Sequence, residues 1–236
     1  MKYPNKELYE ILYAKWLARE TDLTDYADLR EGMNCLDPCC GGMRLTRKIA
    51  SKTLNAVFGI DENEEMMPSV KEIYLFEKQF NNNSVKIVPE RSNIASYFSR
   101  ITCEKDKYSY IFCQQAVNYW IKEFFSIDYN FYFYRRRIDN FNNSFKKNGI
   151  LIFNTFNTKP ENFSRKIYKF QQRNYEEINC LYNNKVYHVQ LCNEYPPHET
   201  VFDWISREEF YKILSPYFHI KIITKGTSDI YICQKK

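Results

Sequence analysis

Turn formers are scarce. Six glycines and eight prolines among 236 residues are too few for a many-stranded sandwich or barrel, and they exclude collagen-like and low-complexity classes. No Cys-x-x-Cys pair occurs among the eight cysteines (Cys35, Cys39, Cys40, Cys103, Cys113, Cys180, Cys192 and Cys233). Reduced, mostly buried thiols are therefore expected, and no metal site. Apolar runs such as Tyr110 to Cys113 and Ile150 to Phe153 are far too short to span a bilayer, and Met1 to Glu7 leads into no apolar signal core. A soluble, cytoplasmic protein with no membrane partner is expected. Strong charge of one sign is also lacking: Lys+Arg 34 against Asp+Glu 29 gives +5, far from the clustered basicity of a dedicated nucleic-acid binder.

What is present suits one layered α/β domain, with 44% hydrophobic and 17% aromatic positions able to form a sizeable core. From Lys6 to Arg19, Leu8, Ile11, Leu12 and Trp16 recur at helical spacing, with Tyr9, Tyr13 and Leu17 on the adjoining stripe. Strand and helix patterns then alternate. Met33 to Leu36 reads as a strand closed by Asp37-Pro38, Leu45 to Lys52 as a helix, Leu54 to Ile60 as a strand ending at Asp61, and Glu64 to Phe80 as a helix. Val85 to Val88 and Tyr108 to Cys113 read as strands around a helix from Ser92 to Ile101. Trp120 to Phe145 fits helix or strand. Lys146-Lys147-Asn148-Gly149 reads as a turn into the strand Ile150 to Phe153. Apolar strands separated by helices predict a parallel sheet with crossover helices.

The last third changes character. Glu177 to Tyr182 and Lys185 to Cys192 flank a hairpin turn at Asn183-Asn184, and Thr200 to Ile205 supplies a further strand. Ser206 and Glu209 form a capping-box pattern that opens a helix to Leu214, followed by strands Phe218 to Thr224 and Ile230 to Cys233 around Gly226.

The segment richest in chemistry is Cys35-Leu36-Asp37-Pro38-Cys39-Cys40-Gly41-Gly42-Met43-Arg44-Leu45-Thr46, a strand end, a tight turn and a helix start. In a doubly wound sheet this first turn brings backbone N–H groups close to a ligand, and an acid ending the next strand binds ribose hydroxyls. Asp61 stands where that acid belongs. The dinucleotide pattern Gly-x-Gly-x-x-Gly is absent, which disfavours NAD and FAD.

These residues resemble the class I S-adenosylmethionine (SAM) dependent methyltransferase family, whose first motif runs roughly Asp-x-Gly-x-Gly-x-Gly. Here it reads Asp37-Pro38-Cys39-Cys40-Gly41-Gly42-Met43, with two glycines replaced. Gly59-Ile60-Asp61-Glu62-Asn63-Glu64-Glu65-Met66 is similar to the second motif. Asn93-Ile94 falls beside the family's adenine site, Ile111 to Trp120 resembles the fourth-strand motif, and Phe145 to Asn154 resembles the turn into strand five.

The resemblance implies a three-layer Rossmann-like fold: a mostly parallel seven-stranded sheet with an antiparallel last strand, an N-terminal helical lid and a small antiparallel insertion after strand five. Its segments would be 1–30 as cap, 31–156 as cofactor core, 157–205 as insertion and 206–236 as completion of the sheet. It implies SAM as cofactor, S-adenosylhomocysteine as product, and contacts from Tyr13, Asp37, Cys39, Gly41, Asp61, Glu62, Met66, Asn93, Ile94, Gln114 and Tyr119.

Candidate acceptor contacts are Tyr9, Trp16, Tyr119, Trp120, His188 and Gln190. His188, Glu194 and His198 are candidates for proton removal or acceptor orientation, because they cluster in the insertion and His188 shares a strand face with Gln190. The solvent face of an added hairpin is the competing reading of that cluster. The expected reaction is methyl transfer to an oxygen or nitrogen of a small molecule or short peptide, by a monomer or homodimer. Two alternatives stay open: a tRNA-modifying methyltransferase acting through Arg135-Arg136-Arg137 and Lys146-Lys147, and a non-catalytic binding module of the same fold.

Overall fold

The computed structural model describes residues 22–236 apart from 81–82, 101–105, 126–130, 171–172 and 193–194. The predicted N-terminal helix lies outside the described residues. Two compact units emerge, Asp22–Phe156 with Arg207–Lys236, and Asn157–Ser206. Among the described residues no helix is long and apolar enough to cross a membrane.

The larger unit holds strands β1 (Cys35–Pro38), β2 (Ala56–Asp61), β3 (Lys86–Arg91), β4 (Tyr108–Cys113), β5 (Phe145–Phe156), β10 (Phe218–Lys225) and β11 (Ser228–Lys235) in one sheet of order β10-β11-β5-β4-β1-β2-β3. β1 through β5 are parallel, while β11 runs antiparallel to both β5 and β10. This is the fold class expected from the sequence. Helices α1 (Arg44–Thr53), α2 (Val70–Glu77), α3 (Ile94–Arg100), α4 (Ile121–Phe125), α5 (Phe131–Ser144) and α6 (Arg207–Leu214) flank the sheet.

Strand alternation divides the core in two. Cys35, Val57, Tyr110, Phe112, Ile152 and Ile230 face α1, where they meet Leu45, Ile49 and Ala50. The residues one step along face the other layer, where Phe98 of α3, Phe124 of α4, Phe141 of α5, Phe145 of β5 and Phe218 of β10 pack edge to face. Phe153 stacks on Tyr231 with centroids 4.6 Å apart, and Phe210 of α6 closes over both.

Three local features depart from the sequence reading. The helix expected over Glu64 to Phe80 is interrupted: Glu64–Met66 is one 3-10 turn, Pro68 cannot continue it, and Ser69 with Glu72 forms a capping box that starts α2 afresh. The turn expected at Lys146 to Gly149 lies inside β5 as a bulge. Phe145 pairs with Tyr108 and Ile150 with Tyr110, so three extra residues are absorbed with Asn148 at φ 64. β3 extends through Pro89, which is tolerated because β3 lies at the sheet edge.

The smaller unit is a four-stranded antiparallel sheet of β6 (Phe163–Phe170), β7 (Arg173–Tyr182), β8 (Lys185–Cys192) and β9 (Tyr195–Asp203), in that order. Asn183 and Asn184 connect β7 to β8 with φ 50 and 58, the paired positive angles of the tightest hairpin turn. β6 has no apolar run. Ser164, Arg165 and Lys166 separate Phe163 from Ile167, which hid the strand in the sequence.

Phe141 is fully buried, with the rings of Phe98, Phe145 and Phe124 centred 5.0, 5.1 and 5.3 Å away. Phe141→Ala is expected to destabilise the protein by about 3–5 kcal/mol. Urea unfolding followed by circular dichroism reads that value directly, and a loss under about 1 kcal/mol would deny the ring its central place.

Candidate functional site

The turn between β1 and α1 has a left-handed backbone at three alternate residues: Cys39 (φ 59), Gly41 (φ 48) and Met43 (φ 57). They are the three motif positions at which the family has glycine. Two of them carry side chains, each at a cost of roughly 1–2 kcal/mol in this conformation. Met43 recovers that by full burial against Cys40, Ile73 and Ile87. The turn is tied to β2 twice. Cys40 N–H donates to the Ile60 carbonyl at 3.0 Å, and Gly41 N–H donates to Asp61 Oδ2 at 2.8 Å. A Cβ on Gly59 would lie 3.0 Å from Met43 Cε and 3.1 Å from Cys40 Sγ, so glycine here spares those side chains a shift of a few tenths of an ångström.

Asp61 Oδ1 accepts from Asn63 N–H at 2.9 Å, and Asn63 Oδ1 accepts from Glu65 N–H at 3.1 Å, which shapes the 3-10 turn leading to buried Met66. Burial raises the Asp61 carboxyl above its ordinary value, against the N–H bonds from Asn63 and Gly41 that lower it. Asn63 is buried, and its Nδ2 has no partner among the described residues. Sequence reading passed over this residue, although its place two residues after Asp61 was the available signal. A Cβ on Gly42 would meet nothing nearer than the Met66 carbonyl at 4.0 Å, leaving open space above the turn.

Asp37 is buried at the end of β1, and its Oδ2 accepts from Thr46 Oγ1 at 2.6 Å. Burial pushes its carboxyl up to about 7, against the Thr46 bond that lowers it, and the neighbouring Asp61 adds to the rise. Contact with the Cys113 thiol, together with burial, keeps the Cys39 thiol protonated. Cys39 and Cys113 thus join the β1 turn to the end of β4.

Beyond β4, Gln115 is left-handed (φ 53), and its N–H donates to buried Asn154 Oδ1 at 2.8 Å. Thr155 Oγ1 donates to Asn118 Oδ1 at 2.8 Å. These bonds from β5 fix the segment that carries Gln114 and half-exposed Tyr119. Trp120 belongs to the core instead of a cleft wall, because its indole packs edge-on against Phe124 and its Nε1–H reaches Cys113 Sγ at 3.4 Å. Asn93 Oδ1 is committed to capping α3 through Ser96 N–H at 2.7 Å, which leaves its Nδ2 as the donor it can offer. Ile94 is buried and Glu62 exposed.

His188 and Gln190, two of the sequence candidates in the smaller unit, share one face of β8. His188 Nδ1 is 2.7 Å from Asn179 Oδ1, and Asn179 Nδ2 donates to buried Glu177 Oε1 at 3.2 Å. Because an amide oxygen only accepts, Nδ1 carries the proton and Nε2 keeps its lone pair. Burial outweighs the attraction of Glu177 and holds the imidazole below its ordinary value. Gln190 follows on the same face of β8, paired in register with His198 of β9. Tyr9, Tyr13, Trp16 and Glu194 lie outside the described residues.

A family profile described as "Methyltransferase domain" matches residues 29–215. No curated protein matches the chain. Among solved structures, the chain is similar to an S-adenosylmethionine-dependent methyltransferase from Clostridium acetobutylicum, at 16% identity and TM-score 0.65, over 97% of this chain and 98% of that one. It is also similar to SAM-bound CalS10, an amino pentose methyltransferase from Micromonospora echinaspora, at 10% identity and TM-score 0.60, over 96% and 97%. A third likeness is an S-adenosylmethionine-dependent methyltransferase from Mesorhizobium loti, at 13% identity and TM-score 0.56, over 94% and 98%.

The raised Asp37 gives the site a pH signature. Its unfolded value is 3.8 and its folded value about 7, so between them the native state holds a proton that the unfolded chain releases. The stability from that bound proton is complete below pH 3.8 and is lost as pH rises through 7, at up to about 1.4 kcal/mol per pH unit. Asp37→Asn is expected to flatten the fall in urea-unfolding free energy between pH 5 and pH 7.5. Equal slopes in both proteins would contradict the assignment.

Proposed function

The chain belongs to the methyltransferase domain family, and on that premise we propose that it transfers a methyl group from SAM to an oxygen or nitrogen of a small molecule or short peptide. The observation that carries the reading is the β1 turn, left-handed at all three motif positions and bonded through Gly41 N–H to Asp61. The residues present fit the cofactor. Gly42 leaves a cradle beside the Met66 backbone, and buried Asn63 Nδ2 is a donor in need of an acceptor.

Asp37, Cys39 and Gly41 would hold the methionine end, Asp61 and Glu62 the ribose hydroxyls, and Met66, Asn93 and Ile94 the adenine, with Gln114 and Tyr119 along the transferable methyl. When bound, SAM supplies an electrophilic methyl on a sulfonium, displaced in line by the acceptor. What remains for the protein is positioning, exclusion of water and, for a protonated nucleophile, removal of a proton. His188 is suited to the last task. Asn179 and Glu177 act as positioning residues by fixing the tautomer that leaves Nε2 basic. A small acceptor is supported by the four-stranded insertion after β5 and by whole-length similarity to CalS10, an amino pentose methyltransferase.

Calorimetry is expected to give SAM affinity on the order of micromolar for the wild type and at least about ten-fold weaker binding for Asp61→Ala. Absence of binding by folded wild-type protein would overturn the enzyme reading. Release of S-adenosylhomocysteine with a panel of small amines and alcohols, compared with peptides and RNA, then identifies the acceptor class.

Because the folded imidazole lies below its ordinary 6.5, His188 is neutral and basic above that point. The acid limb of kcat is expected below pH 6.5, and His188→Gln should abolish it. Asn179→Ala should lower kcat by about ten-fold with KM little changed. An unaltered pH profile in His188→Gln would remove the base role.

A further inference from the structure

The face of the inserted sheet that carries His188 is polar over two successive rows. Register sets Glu177 of β7 between Lys166 of β6 and Gln190 of β8, and in the next row sets Asn179 beside His188. Alternate residues of a strand share a side, so both rows belong to one face. Buried Tyr175 stands on one flank of them and buried Val186 on the other.

Glu177 is out of balance with these surroundings. Its side chain is 10% exposed, against 17% for His188. Its polar neighbours among the described residues are Asn179 Nδ2 at 3.2 Å and His188 Nδ1 at 3.9 Å. Lys166, opposite it on β6, is exposed and forms no ion pair with it. Burial holds the imidazole of His188 below its ordinary value, so that neighbour is neutral at neutral pH, as an amide always is. A carboxylate buried among neutral partners is costly to the fold unless a positive charge compensates it. No described lysine or arginine brings that charge to Glu177, which leaves the part to a cationic ligand.

The chemistry of methyl transfer says which ligand gains most. The reaction moves the positive charge of the sulfonium onto the atom that accepts the methyl. When that atom is an amine nitrogen, the product is a methylammonium, and a fixed carboxylate beside it favours the transition state in which the charge develops. When it is an alcohol oxygen, the attacking species carries negative charge as its proton leaves, and the same carboxylate opposes it. Glu177 thus sorts nitrogen from oxygen by the sign of the charge.

Resting on the methyltransferase reading above, we propose that the acceptor is a primary or secondary amine, bound as its ammonium by Glu177 and deprotonated by His188. The ammonium gives one proton to His188 Nε2, which is open to it because Nδ1–H is held by Asn179. The freed lone pair on nitrogen forms the N–C bond as the C–S bond breaks, and the electron pair of that bond returns to sulfur. A methylated ammonium and a neutral thioether result, and the imidazolium passes its proton to water.

The test is incubation of the full chain with SAM carrying an isotopically labelled methyl and a small-molecule extract supplemented with amino sugars, amino acids and their hydroxy analogues. N-methyl and O-methyl carbons are resolved by nuclear magnetic resonance, and label is expected in N-methyl products alone. Label in O-methyl products alone would overturn the proposal while leaving the methyltransferase reading intact. No transfer at all would overturn both. The labelled amine, identified by mass, is then titrated in its unmethylated form into protein saturated with S-adenosylhomocysteine. Glu177→Gln is expected to weaken its binding at least about ten-fold with SAM affinity unchanged, and Glu177→Asp, which keeps the charge, to recover part of it. The matching hydroxy analogue should bind Glu177→Gln no worse than wild type, which separates loss of charge from a damaged sheet. Equal amine affinity in wild type and Glu177→Gln would overturn the role of Glu177.

Discussion

A left-handed backbone at Cys39, Gly41 and Met43 is the constraint on which the rest of the larger unit depends. Three such residues in five reverse the chain between β1 and α1 within a few ångströms of β2. Gly59, with no side chain to crowd Met43 and Cys40, eases that close approach. Two of the three residues pay a steric penalty that glycine would avoid. The turn tolerates it because the Met43 side chain is fully buried and because β2 grips the turn through Cys40 N–H and Gly41 N–H. With Cys39 and Met43 in left-handed positions, backbone freedom is exchanged for packing of the Met43 side chain.

The same logic holds the segment after β4. Gln115 is left-handed, and an asparagine on the neighbouring strand accepts its N–H. Trp120 and Phe124 then plug the chain into the aromatic layer. Rigid elements on both sides therefore set the positions of Gln114 and Tyr119, which a loop alone could not do. The aromatic residues that dominate this layer are fixed by edge-to-face geometry, so a shift in one ring is transmitted to several others.

Much of this was legible in the sequence because parallel strands buried on both faces read as continuous apolar runs. Tyr108 to Cys113 was found with its observed boundaries for that reason, and Asn183-Asn184 announced its own turn chemistry. The failures have physical causes too. Apolar periodicity runs across Pro68, so Glu64 to Phe80 looked like one helix when the proline and the Ser69 cap divide it. β6 escapes the pattern because Phe163 and Ile167 share one exposed face with Arg165, so apolar and charged residues do not separate by side. Trp120 was read for its chemistry when its burial assigns it to packing. Asn154 and Asn179 escaped notice because an amide matters only through the bonds it makes, and those join residues distant in the chain or on neighbouring strands, whereas Asn63 bonds locally to Asp61 and Glu65.

Pro89 in β3 carries a further consequence. β3 forms one margin of the seven-stranded sheet, and a proline there has no N–H to give to an incoming strand. Lys86, Glu90 and Arg91 add exposed or half-exposed charge along the same margin. A foreign strand would meet a broken ladder of donors and a row of hydrated groups, so this margin is a poor template for fibrillar growth. An aromatic-rich chain with a large central sheet is thereby guarded against aggregation at the place where its backbone would otherwise invite it.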